Sequence, residues 1–216
     1  MEWTRALDGY CERMDPSFWA EPLNAVSNAA FMIAAIIMWM RAAQPICRVL
    51  SVLLFAIGVG SFLFHTTAQV WSAIADVAAI AVFVVVFVWA THRYIIGLLA
   101  FWSAVAVVGF LGFVFVAVYG FQAMPFFSIS AGYWPIALAI FAYGVWFLRS
   151  DVSVGWGFII GSAILSVSLV LRSVDMPFCD RIPMGTHLWW HVLNGVMLGW
   201  MIEVLRRHLA GGVTGR

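Results

Sequence analysis

The stretch THLWWHVLN, residues 186–194, sets His187 and His191 four residues apart among aromatic and aliphatic neighbours. Four residues is about one helical turn, so both imidazoles leave the same side of a helix. Two further stretches carry polar groups in equally apolar surroundings. GSFLFHTT (60–67) holds Ser61 and His65, again four apart, and WSAIADVAAI (71–80) holds Asp76. Three histidines with a fourth position left open are a common catalytic zinc set, and neutral imidazole suits that ion. An aspartate beside such a set can orient a ligand or accept a proton from the hydrolytic water. A serine hydroxyl there can hydrogen-bond an oxyanion or the water. The plainer alternative is that interfacial His and Asp bond one another and cap helix ends. The pattern is not that of the soluble metalloproteases, because Leu188 rather than Glu follows the first histidine. What decides between these readings is whether the elements that carry the five residues bring them to one depth.

Of the 216 residues 64% are hydrophobic and 10% charged, against about 25% charged in a soluble domain. The fold class this predicts is an all-α membrane protein. A net charge of +1 argues against a nucleic-acid partner. All eleven basic residues are Arg, and the lack of Lys excludes a retinal Schiff base. The N-terminal MEWTRALDGYCERMD is polar and mixed in charge and does not read as a cleavable signal peptide.

A helix crossing the hydrocarbon core needs about 20 apolar residues. Runs at about 23–40, 46–65, 71–91, 94–118, 131–149, 154–172 and 186–205 predict a seven-transmembrane-helix bundle. It forms one domain over residues 1–216, with 1–22 as an external N-terminal segment. The long apolar stretch from Val49 to Ala90 is divided at HTTAQ (65–69), and the short links THR (91–93) and RSDVS (149–153) imply antiparallel neighbours. Gly157 and Gly161 form a GxxxG that either permits close helix contact or is a chance match.

With seven spans, Arg41, Arg48, Arg93, Arg149, Arg206, Arg207 and Arg216 share the C-terminal side, and Arg5, Arg13, Arg172 and Arg181 the other. The positive-inside rule then puts the C-terminus in the cytoplasm and the N-terminus outside. Ends of even spans and starts of odd spans share the external side. Ser61, His65, Asp76, His187 and His191 therefore fall at similar depth, a turn or so below that surface. Ionisable groups there are costly and are functional hypotheses by default. His92 and His208 lie at the opposite side beside Arg residues and read as interfacial.

CERMDPSFWAEPLNAVSN (11–28), GSFLFHTT with Asp76 eleven residues after His65, and HLWWHVLN occur in this order across nearly the whole chain. Together they resemble the alkaline ceramidase family of seven-span membrane hydrolases, and the first block looks bacterial. The resemblance implies a zinc-dependent amidase in a bacterial inner membrane. Its lipid substrate, ceramide or a related N-acyl lipid, would enter laterally and be cleaved to a sphingoid base and a fatty acid. The resemblance makes His65, His187 and His191 the zinc ligands and Asp76 the general base and acid. Ser61 would stabilise the tetrahedral intermediate. It also implies a calcium site near the N-terminus, with oxygen ligands from Asp8, Glu12, Asp15, Glu21 and the Tyr10 carbonyl. Read without the family, that segment is interfacial, with Pro16 fixing a turn and Trp19 anchoring it.

A different class remains open, a seven-helix lipid receptor or sensor with a structural zinc. A structural zinc takes four protein ligands and needs no base, so Asp76 and Ser61 beside three histidines favour the enzyme. A transporter would want charged or broken helices near the midplane, and spans four to six offer almost none. Oligomeric state is not written in the sequence. Cys47 falls on the cytoplasmic side as a free thiol. Cys11 and Cys179 both fall in external segments, where an oxidising compartment lets them pair. Such a bridge would tie the acidic N-terminal segment over the mouth of the site.

Overall fold

In hydrocarbon a segment must satisfy its own backbone polar groups, which a helix does internally. The computed structural model, which describes residues 2–211, is accordingly helical along every long apolar run. Helices α1 (Pro22–Ser27) and α2 (Ala29–Arg41) continue one another past Asn28. They are followed by α3 (Pro45–Thr67), α4 (Val70–Ala90) and a π-helical turn (Thr91–Ile95). Next come α5 (Ala100–Gln122), the short α6 (Pro125–Ser128), α7 (Trp134–Phe147), α8 (Val152–Ser173) and α9 (His187–Gly211). Proline opens the first turn of α1, α3, α6 and α7, where its missing N–H has no helical partner to lose.

Among the described residues, six stretches are long and apolar enough to cross a membrane: Pro22–Arg41, Pro45–Thr67, Val70–Ile95, Ala100–Gln122, Val152–Ser173 and His187–Gly211. The protein is an integral membrane protein. The seventh expected span, 131–149, is the 14-residue α7. At 1.5 Å per residue it reaches about 21 Å, short of the roughly 30 Å hydrocarbon core. The expected fourth span also shifts, because residues 91–95 continue α4 as a π turn and α5 starts only at Ala100. Gly97, at φ +86°, turns the chain between them.

The break at HTTAQ is real: α3 stops at Thr67 and α4 starts at Val70. Ala68 takes a left-handed φ of 45°, and its carbonyl accepts the Leu7 N–H at 2.7 Å. Gln69 and Ser72 cap the start of α4 reciprocally. The N-terminal segment thus lies against the end of α3 before α1 begins.

Leu50, Leu54 and Ile57 of α3 pack in the core with Leu169 of α8 and Met201, Ile202 and Leu205 of α9, all nearly inaccessible. Small residues set the closest approaches. Gly157 and Gly161 both face α9, at Val204 and Met201, so the GxxxG is used. A Cβ on Gly60 would lie 3.3 Å from the Asp76 Cα, and one on Gly195 would lie 2.9 Å from the Ala30 carbonyl carbon. These two glycines draw α4 onto α3, and α9 onto α2, at the level of the polar residues. The outer face of α5 (Phe101, Val108, Phe115, Val116) is exposed, as a lipid-facing helix requires. At the far end Glu203 pairs with Arg41, Arg206 and Arg207, while Arg216 lies outside the described residues.

Candidate metal centre

His65 comes from the last turn of α3, and His187 and His191 from the first turns of α9. The rings converge, with centroids 5.2 Å apart for His65–His187 and 4.7 Å for each of the other two pairs. One ring nitrogen from each lies within 4.8 Å of the other two, so the trio could hold a metal ion. No other such group of His, Cys, Asp or Glu occurs among the described residues.

Hydrogen bonds fix what two of the rings offer. His65 Nδ1 lies 2.6 Å from the Glu21 carboxylate, which accepts, so Nδ1 carries the proton and Nε2 is a bare lone pair. The Ser27 hydroxyl donates to the Asn24 carbonyl at 2.8 Å, so His191 Nδ1, 2.7 Å from Ser27 Oγ, is the donor there. That leaves His191 Nε2 unprotonated, and it is buried without a partner among the described residues. His187 Nδ1 is likewise buried and unbonded. Buried polar atoms normally have partners, and orphaned imidazole nitrogens in a trio this close fit a cation held among them.

Asp76 comes from α4, whose backbone approaches α3 at Gly60, and its Oδ1 is also buried and unbonded. Ser61 lies one turn before His65 on the same face of α3. Ser61 and Asp76 open onto a narrow cavity that runs along α4, α7, α8 and α9 with an almost wholly apolar lining.

The N-terminal segment closes the centre, by contacts that sequence reasoning missed. The Tyr10 ring stacks on His187 at 3.8 Å between centroids. Arg13, 8% exposed, donates from Nε to Glu21 and from a terminal nitrogen to the His65 carbonyl. Burial, the largest influence on the Glu21 carboxyl, pushes its pKa up. Hydrogen bonds from His65 and Arg13, with the Arg13 charge, outweigh this and hold it below the usual carboxylate range. Asp175 accepts the backbone N–H groups of Cys11, Thr186 and His187, capping α9 where the site begins. Neither Arg13 nor Asp175 carries a local signal, since their partners are remote in sequence.

The five oxygen donors expected to hold calcium are not brought together. Glu12 accepts the Leu23 and Asn24 N–H groups at the start of α1, and Asp15 accepts that of Ser17. Glu21 is taken by Arg13 and His65, the Tyr10 carbonyl accepts the Arg13 N–H, and Asp8 is exposed. A guanidinium on the innermost carboxylate leaves no place for a second cation, so these residues do not fit a calcium cage.

His92 departs from its interfacial reading. It is 7% exposed and bonded on both nitrogens. His208 stays near the surface beside Asp151.

Cys11 and Cys179 are joined in a disulfide, with Cα atoms 5.3 Å apart, and Cys47 is a buried free thiol. The bridge holds Tyr10 and Arg13 over the histidines. Denatured, unreduced protein should therefore take up one maleimide per chain, on Cys47, and three after reduction. Three before reduction would show that the bridge does not form.

Membrane-crossing helices with a buried three-histidine group, and an apolar cavity lined by Ser61 and Asp76, define an integral membrane protein with a metal-capable centre. The Ceramidase family model matches residues 9–210, and the chain belongs to that family. Comparison with curated proteins gives no match. Family membership implies a hydrolase acting on the amide bond of a lipid of the ceramide type, with a metal dependence that the histidine trio can meet.

Proposed function

We propose that the protein is a zinc-dependent membrane amidase that hydrolyses the N-acyl bond of ceramide or a related N-acyl lipid. The products are a sphingoid base, or the corresponding amine, and a free fatty acid. One observation carries the reading: Ser61, one turn from His65 on α3, and Asp76, drawn against α3 at Gly60, both line a long apolar cavity. A site built only to bind metal needs no such room.

His65, His187 and His191 would hold the zinc. When bound, zinc lowers the pKa of a water to about 7 and polarises a carbonyl oxygen. Glu21 and Ser27 keep the His65 and His191 rings in the tautomer that offers Nε2. Asp76 accepts a proton as the water oxygen bonds to the acyl carbon, and returns it to nitrogen as the C–N bond breaks. The Ser61 hydroxyl donates to the oxygen that becomes negative in between. The apolar lining receives the acyl chain and excludes competing water. Read as seven crossings, with α7 as a short one, the chain would have the centre on the N-terminal side of the bilayer. The arginines around Glu203 and the Cys11–Cys179 bridge support an external N-terminus in a bacterial inner membrane.

The test is amine release from a panel of ceramides and other N-acyl lipids by purified protein in detergent, beside Asp76→Ala. Release by the wild type, lower by about 10²–10⁴-fold in the variant with zinc retained, is expected. No release from any substrate with zinc bound overturns the amidase and favours a lipid receptor.

A further inference from the structure

The cavity that starts at Ser61 and Asp76 has a definite far end. On α4 its lining runs as one helical stripe through Asp76, Ile80, Phe83 and Phe87 to Thr91 and His92, and on α7 it runs from Tyr133 to Tyr143. At that end Tyr143 Oη lies 3.0 Å from His92 Nε2, and His92 Nδ1 lies 2.8 Å from the Val88 carbonyl. A carbonyl only accepts, so Nδ1 carries the proton, Nε2 accepts, and Tyr143 donates. Both imidazole nitrogens and the phenol proton are therefore used.

His92 belongs to the π-helical turn Thr91–Ile95, a wider winding than the α4 that precedes it. Isolated π turns of this kind are often found at functional sites. A phenylalanine pair would fill an apolar terminus without polar atoms to satisfy. The bonded pair instead gives the cavity a fixed and polar floor.

We propose that the His92–Tyr143 pair is the end stop of the acyl site and sets the longest chain the enzyme accepts. The proposal rests on the amidase reading only for the identity of the occupant. From Asp76 to Thr91 the stripe is about 22 Å long, which matches an extended chain of roughly 16–18 carbons. The floor also has a chemical bias. The Tyr143 oxygen can still accept a hydrogen bond, while the floor offers no free donor. It tolerates a terminal hydroxyl on the chain and rejects a terminal carboxylate.

The experiment compares wild type, Tyr143→Ala and the milder Tyr143→Leu, each zinc-loaded in detergent. The first readout is turnover of an N-acyl series from octanoyl to tetracosanoyl. The second, independent of catalysis, is thermal stabilisation by free saturated fatty acids of the same lengths. In the wild type both should fall at least tenfold from hexadecanoyl to docosanoyl. Both variants should move the break to longer chains and raise the docosanoyl-to-hexadecanoyl ratio at least fivefold. An unmoved break in whichever variant folds, or wild-type stabilisation by no chain at all, overturns the end stop. A break that moves in the binding series while no N-acyl lipid is hydrolysed overturns the amidase reading and leaves the end stop standing.

Discussion

His191→Ala is expected to strip the centre of its metal, from about one zinc per chain to less than a tenth of that, and to bring hydrolysis to background. The reason is the donor count. The trio supplies three neutral nitrogens, and the descriptor of a catalytic set is three protein ligands with one open position. Two remaining imidazoles cannot enclose the ion. His191 is wholly buried and its Nε2 has no other partner among the described residues, so no competing role accounts for it. Ser27 survives the change because its hydroxyl still donates to the Asn24 carbonyl. Elemental analysis of protein purified without added metal is the check, with circular dichroism to establish that the bundle is intact. Full zinc in a folded His191→Ala protein would remove the trio as the metal site. The contrast with Asp76→Ala is the sharper result. That variant should lose turnover and keep its zinc, because in the proposed mechanism Asp76 would handle the proton and the histidines would hold the ion.

The centre was legible in the sequence to the extent that it is made of local pattern. His187 and His191 are one turn apart, Ser61 and His65 are one turn apart, and counting spans brings both pairs and Asp76 to one side. None of that needs side-chain packing. The length of α7 was not legible, because an apolar run looks alike whether it is wound as a helix or, as at residues 129–133, as turns. The place of His92 was not legible either. The sequence reads as a short interhelical link at 91–93, but the π turn keeps the backbone winding and brings the imidazole inside. Arg13, Asp175 and Gly60 act through partners that helix packing supplies: the His65 carbonyl, the start of α9 and the Asp76 backbone. No periodicity of 3.6 residues reports such contacts. Glu21 is the instructive case. Its type reads as an oxygen donor for a cation, and so it is, but the cation beside it is the Arg13 guanidinium.

That assignment makes Glu21→Ala the second large effect. The change leaves the Arg13 charge buried without its carboxylate, and breaking a buried pair from one side costs about 3–5 kcal/mol. It also removes the acceptor of His65 Nδ1–H. A ligand histidine that loses such a partner binds its metal about 10–100-fold more weakly. Glu21→Gln should fall between, since the amide oxygen can still accept from His65 while the charge facing Arg13 is gone. Zinc affinity by chelator competition and the thermal midpoint measure the two consequences separately. Calcium distinguishes this from an oxygen-ligand role. If Arg13 and His65 occupy the carboxylate, neither calcium nor a calcium-selective chelator should shift the wild-type midpoint, and the Glu21→Ala loss should be in zinc. A wild-type midpoint that rises with calcium, and a Glu21→Ala protein that no longer responds, would mean that calcium displaces Arg13. Glu21 would then couple two metals instead of one metal and one arginine.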